Sequence, residues 1–237
     1  MSRIRLAGLA LVVVCAFAAL ASTASAAQPV FYTKAAIGEV AKAVSFTGTL
    51  GPAFLEGKGG TKITCTAGTA TGEATSATEG KNGVTTFTGC ETSGVPCENA
   101  GAGTIKTKTL KGELGNVVAG KTPGLRLFNE ALGRGASLAE FTCAGGSIAV
   151  NVIGSVIGSI SGAAGKTPAE GKFAASNSLV FAESKGIQKY TKFVAGEGEA
   201  GEEQLESSVG GAAFEKSGQS VTAKLTSVPK ENLNTTL

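Results

Sequence analysis

Short runs of alternating apolar and polar residues, separated by glycine-rich turns, fill most of the chain beyond residue 40. This pattern commits the chain to antiparallel β-structure. Val40, Val44, Phe46 and Leu50 share one parity, with Ala41, Ser45, Thr47 and Thr49 on the other. Ile148, Val150, Val152 and Val156 alternate with Asn151 and Ser155, and Ile187 and Phe193 with Gln188 and Lys192. Val221, Ala223 and Leu225 alternate with Thr222, Lys224 and Thr226. Successive residues of a strand point to opposite faces, so each run reads as a strand with one face buried. Further strands are predicted at 62–66, 69–75, 84–88, 104–114, 138–143 and 178–182. Within 104–114 the apolar parity switches between Ile105 and Leu110, which predicts a bulge or bend. Gly154 and Gly158 interrupt the run 148–160 and predict a sheet corner. The best helical spacing, 123–138 through Leu127, Phe128, Ala131 and Leu132, is cut to a turn or two by Gly133 and Gly135. About ten strands at this spacing predict an all-β fold, an antiparallel β-sandwich or barrel.

The first 26 residues read differently. Arg3 and Arg5 precede an apolar run from Leu6 to Leu20, and Ala24-Ser25-Ala26 offers small residues for a signal peptidase. Residues 1–26 are therefore predicted to be a signal peptide, with cleavage after Ala26. The apolar run is shorter than the roughly 20 residues of a membrane-spanning helix. Val14 before Cys15 does not suit a lipid-attachment site, which wants a small residue there. The mature chain, 27–237, is predicted to form a single all-β domain with no integral membrane segment.

Composition narrows the chemistry. The sequence has no histidine, no tryptophan and no aspartate, so all 18 acidic residues are glutamates. Without histidine there is no Ser-His-Asp or Cys-His catalysis and no histidine-ligated metal site. Without aspartate there is no EF-hand loop. Removing Arg3 and Arg5 from the 21 basic residues leaves 19 against 18 acidic ones, a net charge of +1 for the mature chain. That balance offers no electrostatic footprint for nucleic acid or an anionic membrane.

Several motifs match catalytic patterns in letters. Gly115-Asn116-Val117-Val118-Ala119-Gly120-Lys121-Thr122 has the spacing of a phosphate-binding loop. That loop must open a helix, and here Pro123 and Gly124 follow at once. Gly165-Lys166-Thr167-Pro168 repeats its end, so both read as surface turns. Ser227-Val228-Pro229-Lys230 has the serine–lysine spacing of penicillin-recognising enzymes, but Pro229 and the preceding strand disfavour the required helix. Paired glutamates suffice for glycoside hydrolysis, although no pair stands out. The segment 196–206, with Glu197, Glu199, Glu202, Glu203 and Glu206 among small residues, reads as an exposed acidic loop. No catalytic, cofactor-binding or metal-binding residue is assigned, and no cofactor is expected.

The cysteines form the strongest constellation. The mature chain has four, Cys65, Cys90, Cys97 and Cys143. An even count in an exported chain implies two disulfides, and four cysteines allow three pairings. Cys90 and Cys97 flank a turn containing Gly94 and Pro96, which predicts a hairpin-tip bridge. Cys65 and Cys143 share parity with Ile63 and Phe141, so the expected second bond is Cys65–Cys143 in the core.

The run Ile63-x-Cys65, Phe87-Thr88-Gly89-Cys90, Cys97, Thr104-Ile105-Lys106-Thr107, Leu110-Lys111-Gly112-Glu113-Leu114 and Phe141-x-Cys143-x-Gly145 resembles a group of secreted, disulfide-containing, β-rich proteins of actinobacteria. The resemblance covers most of the mature chain. It implies export and disulfides, and it implies no activity, because none is known for that group. The expectation is an exported, non-catalytic bacterial protein, secreted or at the extracellular surface. It serves as a structural element or as a binding module for an extracellular or envelope ligand. The alternative is a glutamate-dependent hydrolase of extracellular polysaccharide, and a third reading is an oligomer paired through sheet edges.

Overall fold

The computed structural model describes residues 30–32, 43–118, 122–161, 178–195, 198–199, 202–228 and 234–236. Residues 1–26, read above as a signal peptide, Val40 and the second Gly-Lys-Thr turn lie outside the described residues. Among the described residues there is no helix, and every ladder is antiparallel. The strands begin with β1 (Val30–Tyr32), β2 (Val44–Leu50), β3 (Ala53–Gly57), β4 (Lys62–Cys65), β5 (Ala67–Ala74), β6 (Glu79–Thr88) and β7 (Glu91–Thr92). They continue with β8 (Val95–Glu98), β9 (Thr104–Lys106), β10 (Leu110–Val118), β11 (Thr122–Asn129), β12 (Ser137–Cys143), β13 (Ile148–Ser161) and β14 (Ser178–Phe181). The last are β15 (Glu183–Ser184), β16 (Ile187–Gln188), β17 (Val194–Ala195), β18 (Gly198–Glu199), β19 (Leu205–Val209), β20 (Glu215–Val228) and β21 (Asn234–Thr236).

Most of these segments join end to end into eight long staves. β2 and β3 run along β20 as one stave, because Ser45 to Leu50 oppose Val228 to Ala223 and Phe54 to Gly57 oppose Ser220 to Ser217. β4 with β5 makes the second stave, β6 with β7 the third, and β8, β9 and β10 the fourth. β11 with β12 is the fifth, β13 the sixth, β14 with β19 the seventh, and β20 the eighth. Each stave pairs with the next in sequence, and the eighth pairs back to the first. The result is a closed, up-and-down barrel. Closure satisfies the backbone of every stave on both sides, so the ring of described ladders has no free edge. This settles barrel over sandwich. The strand segments outnumber the ten expected because most staves are interrupted part-way along.

The interruptions follow from the sequence. The predicted bend in 104–114 is the gap between β9 and β10. The predicted corner is Gly154, with φ of +101°. A Cβ there would lie 2.1 Å from the Gln204 carbonyl oxygen, so only glycine fits. At this point β13 exchanges partners, from β12 and β19 to β11 and β14. The expected helical turns at 123–138 are instead mostly strand, β11 and the start of β12. Leu125 and Leu127 face the barrel interior while Arg126 and Phe128 are buried on its outside. With both faces covered, the stretch loses the alternation that marks a half-buried strand.

The disulfides differ from the expected pairing. They are Cys65–Cys90 and Cys97–Cys143. Register explains why. Thr64 opposes Glu91, Glu91 opposes Pro96, and Cys143 opposes Cys97. The four cysteines therefore form one row, in the order Cys65, Cys90, Cys97, Cys143, across staves two to five. Cys65 and Cys143 stand at the two ends, three strand spacings or about 14 Å apart, beyond the roughly 7 Å between Cα atoms that a disulfide tolerates. Cys90 and Cys97 do oppose each other across a hairpin, as expected. A bond between them would strand the outer two, whereas the pairing present uses all four. Each bond clamps two adjacent staves, with Cα atoms 4.0 Å and 3.9 Å apart. All four sulfurs belong to the main core.

Candidate functional site: the barrel interior

Inward-facing residues of all eight staves surround a cavity of about 150 Å³. Around its middle stand Leu50, Leu179, Phe181, Val221 and Ala223. Towards one end stand Phe46, Ala70, Leu125 and Leu225, and towards the other Ile63, Phe141, Val152 and Leu205. The lining contains no charged side chain. An eight-stranded barrel is just wide enough for its own side chains to fill it, or to hold one small ligand. Small inward residues leave the room here. Gly48, Gly68, Gly72, Ala70 and Ala223 take positions where larger side chains would fill the barrel. Gly72 accepts the ring of Phe46, whose Cζ lies 2.6 Å from where a Cβ would stand.

Four uncharged polar residues line the cavity, Thr71, Thr85, Thr107 and Gln219. The Thr107 hydroxyl accepts the Thr85 backbone N–H at 3.0 Å, and Lys108 donates its N–H across to the Leu138 carbonyl at 2.8 Å. Thr107 also donates its backbone N–H to the Thr85 carbonyl at 2.9 Å, so it is residues 108 and 109 that turn from β6 towards stave five. Gly83, Val84, Thr85 and Thr107, all half-buried, flank that turn and line the cavity.

A second constellation lies on the outside of the wall. The described residues between β15 and residue 204, inserted within the seventh stave, fold back over it. Phe193 is fully buried there against Val117 and Ile157. Its ring lies 2.7 Å from where a Gly115 Cβ would be, so Gly115 is the seat of an aromatic ring. The phosphate-loop letters from 115 to 122 accordingly fall on a hairpin, with Asn116 opposite Pro123 and Val118 opposite Thr122. No helix follows, and Ala119 to Lys121 lie outside the described residues.

Under this flap Arg126 donates to Glu203 at 2.7 Å and to Glu113, and stacks 4.7 Å from the Phe193 ring centroid. Arg134 donates to the same Glu203 oxygen at 2.7 Å, and the Ser155 hydroxyl donates to the other. Gln188 donates to the Glu203 carbonyl at 2.9 Å. The expected exposed acidic loop is therefore corrected at Glu203, which is 8 % exposed, and at Leu205, which is 1 % exposed. The flap brings its carboxylate onto the only two arginines beyond residue 5. That scarcity, with Arg126 set between Leu125 and Leu127, is the sequence signal that marks the cluster.

Burial pushes the Glu203 pKa up, but the Ser155 and Arg134 hydrogen bonds and the Arg126 charge outweigh it and hold the carboxyl below its ordinary value of 4.5. A depressed carboxylate stabilises the fold fully above the unfolded-state value and ceases to do so as pH falls through the folded-state value. Glu203→Gln should therefore be clearly less stable than wild type at pH 7. The gap should narrow as pH falls below 4.5, as read by urea midpoints; a gap that widens in acid contradicts this assignment.

Glu113 and Glu203 come together as a carboxylate pair, and both are bound to the Arg126 guanidinium. Among the described residues no group of three or more acidic or cysteine side chains is placed to hold a metal ion. No helix there is long and apolar enough to cross a membrane. The comparisons with known proteins returned nothing. No family model matches the chain, and neither does any curated protein or solved structure.

Proposed function

We propose that this is an exported, non-catalytic binding protein of the bacterial cell exterior that holds a small apolar molecule inside its barrel. The observation that carries the reading is the uncharged cavity lined from all eight staves. A barrel serving only as a structural element gains most by filling its interior, since each unfilled volume forfeits packing contacts. The two disulfides suit an oxidising compartment, and the leader at 1–26 supplies the route. Kinship with the secreted β-rich proteins of actinobacteria is part of the same proposal.

The hydrolase alternative is less well supported. A glycosidase needs one carboxylic acid that stays protonated to donate to the leaving group. Glu203 is held ionised by Ser155, Arg134 and Arg126. Pairing through sheet edges is disfavoured by the closure of the barrel.

The test uses protein recovered from the culture fluid of the organism that makes it. Native mass spectrometry should show a small molecule retained, and the polypeptide should begin at Ala27. Protein that carries nothing, and that takes up no apolar probe after solvent extraction, overturns the binding reading. Protein that begins at Met1 or Ser2 overturns export.

A further inference from the structure

We propose that the cavity is selective for a small neutral molecule, an apolar body bearing one hydrogen-bonding group that the Gln219 carboxamide receives. This rests on the binding reading above and specifies its ligand.

Size comes first. An apolar cavity of about 150 Å³ is known to stay dry and to take benzene, so the body has about six to eight heavy atoms. Charge comes second. With no basic side chain in the lining, an ionised carboxylate or phosphate entering the barrel would be desolvated without a partner, at a heavy cost. Ligands with charged heads are thereby excluded, including ionised fatty acids.

The polar group comes third. Gln219 lies on β20 with Ser217 and Val221 on its inward face, opposite Leu55 of β3. The hydroxyls beside it on staves seven and eight are used within the protein, and those of Thr85 and Thr107 stand three and four staves away. Ser207 and Ser217 pair with each other, and the Thr107 hydroxyl holds the Thr85 N–H. The Gln219 carboxamide makes no hydrogen bond among the described residues. A half-buried amide on an otherwise apolar wall offers both a donor and an acceptor. An alcohol, ketone or ester oxygen satisfies it, and a pure hydrocarbon leaves it unused.

A matched series tests this. The exported protein, freed of any retained molecule by solvent extraction, is titrated with 1-hexanol, hexane and hexanoate at pH 7.5, following the methyl resonances of Val221 and Leu225 by NMR. The expected order is hexanol tightest and hexanoate at least tenfold weaker than hexanol. Gln219→Leu, which keeps the volume and removes the amide, should weaken hexanol about fivefold and leave hexane within about twofold. Ala223→Phe, which fills the cavity, should abolish binding of both. Thermal unfolding of each variant confirms that it is folded, and Gln219→Leu carries the test should Ala223→Phe fail to fold. Hexanoate binding as tightly as hexanol, or an unchanged hexanol-to-hexane ratio in Gln219→Leu, overturns the selectivity while leaving the binding reading in place. Failure of both hexane and hexanol to bind the wild-type protein overturns that reading as well.

Discussion

Replacing Cys97 and Cys143 together by alanine should lower the unfolding free energy by about 4 kcal/mol, and replacing Cys65 and Cys90 by about 3.5 kcal/mol. The two figures come from loops of similar size, closed by cysteines 46 and 25 residues apart. In the chain-entropy picture the cost of opening a loop grows only with the logarithm of its length. The two loops do not overlap in sequence, so their contributions add to first order. Together they reach about 7–8 kcal/mol, a large part of the roughly 5–15 kcal/mol that holds a typical domain folded. Full reduction should therefore leave the barrel unfolded or close to it at physiological temperature. The bonds span staves two to five, so the reduced protein should lose protection there first. Urea denaturation of the two double variants checks the equality. Under a Cys90–Cys97 and Cys65–Cys143 pairing each double variant would break both bonds, so a loss of about 7 kcal/mol in each would contradict the pairing present.

Arg126→Met should destabilise the protein by about 3 kcal/mol, the scale of breaking a buried ion pair by removing one partner. The substitution keeps the aliphatic packing against Phe193 and removes the charge. Glu203 would retain Arg134 and Ser155, but Arg134 is half-exposed and screened by solvent. Glu113 would retain only Lys111. The flap should then loosen, exposing Phe193. Adding Glu203→Leu to Arg126→Met should recover part of the loss, because a buried carboxylate left with one half-exposed arginine and one hydroxyl is what costs most. A double-mutant cycle with a coupling below about 0.5 kcal/mol would mean that the two side chains act independently, contrary to their shared hydrogen bond.

Much of the barrel was legible in the sequence because its staves are half-buried. The alternating runs at 44–50, 148–156 and 221–225 became β2, β13 and β20 with their apolar parity facing inward. Legibility failed where the outer face is covered too. At Leu125-Arg126-Leu127-Phe128 both parities are covered, Arg126 and Phe128 buried and Leu125 and Leu127 half-buried, and the alternation that identifies a strand disappears. The flap was misread for the same reason. Glu203 looks like one of several solvated glutamates, and only the distant arginines that meet it in the fold distinguish it from Glu202. The cysteine pairing failed on register. Spacing along the chain shows that Cys90 and Cys97 can face each other across a turn. It does not show that Cys65 and Cys143 stand at opposite ends of the same row. The cavity was invisible because it arises from closure. Gly48, Gly72 and Ala223 read as ordinary small residues until eight staves turn them towards one axis.

The barrel is closed and its interior is hollow and apolar. Xenon partitions into dry apolar cavities and ignores filled or wet ones. Crystals of the protein, stripped of any retained molecule by solvent extraction and pressurised with xenon, should show an ordered atom inside the barrel, against Leu50, Leu179, Val221 and Ala223. A barrel core packed solid, with no xenon among those side chains, would contradict the account.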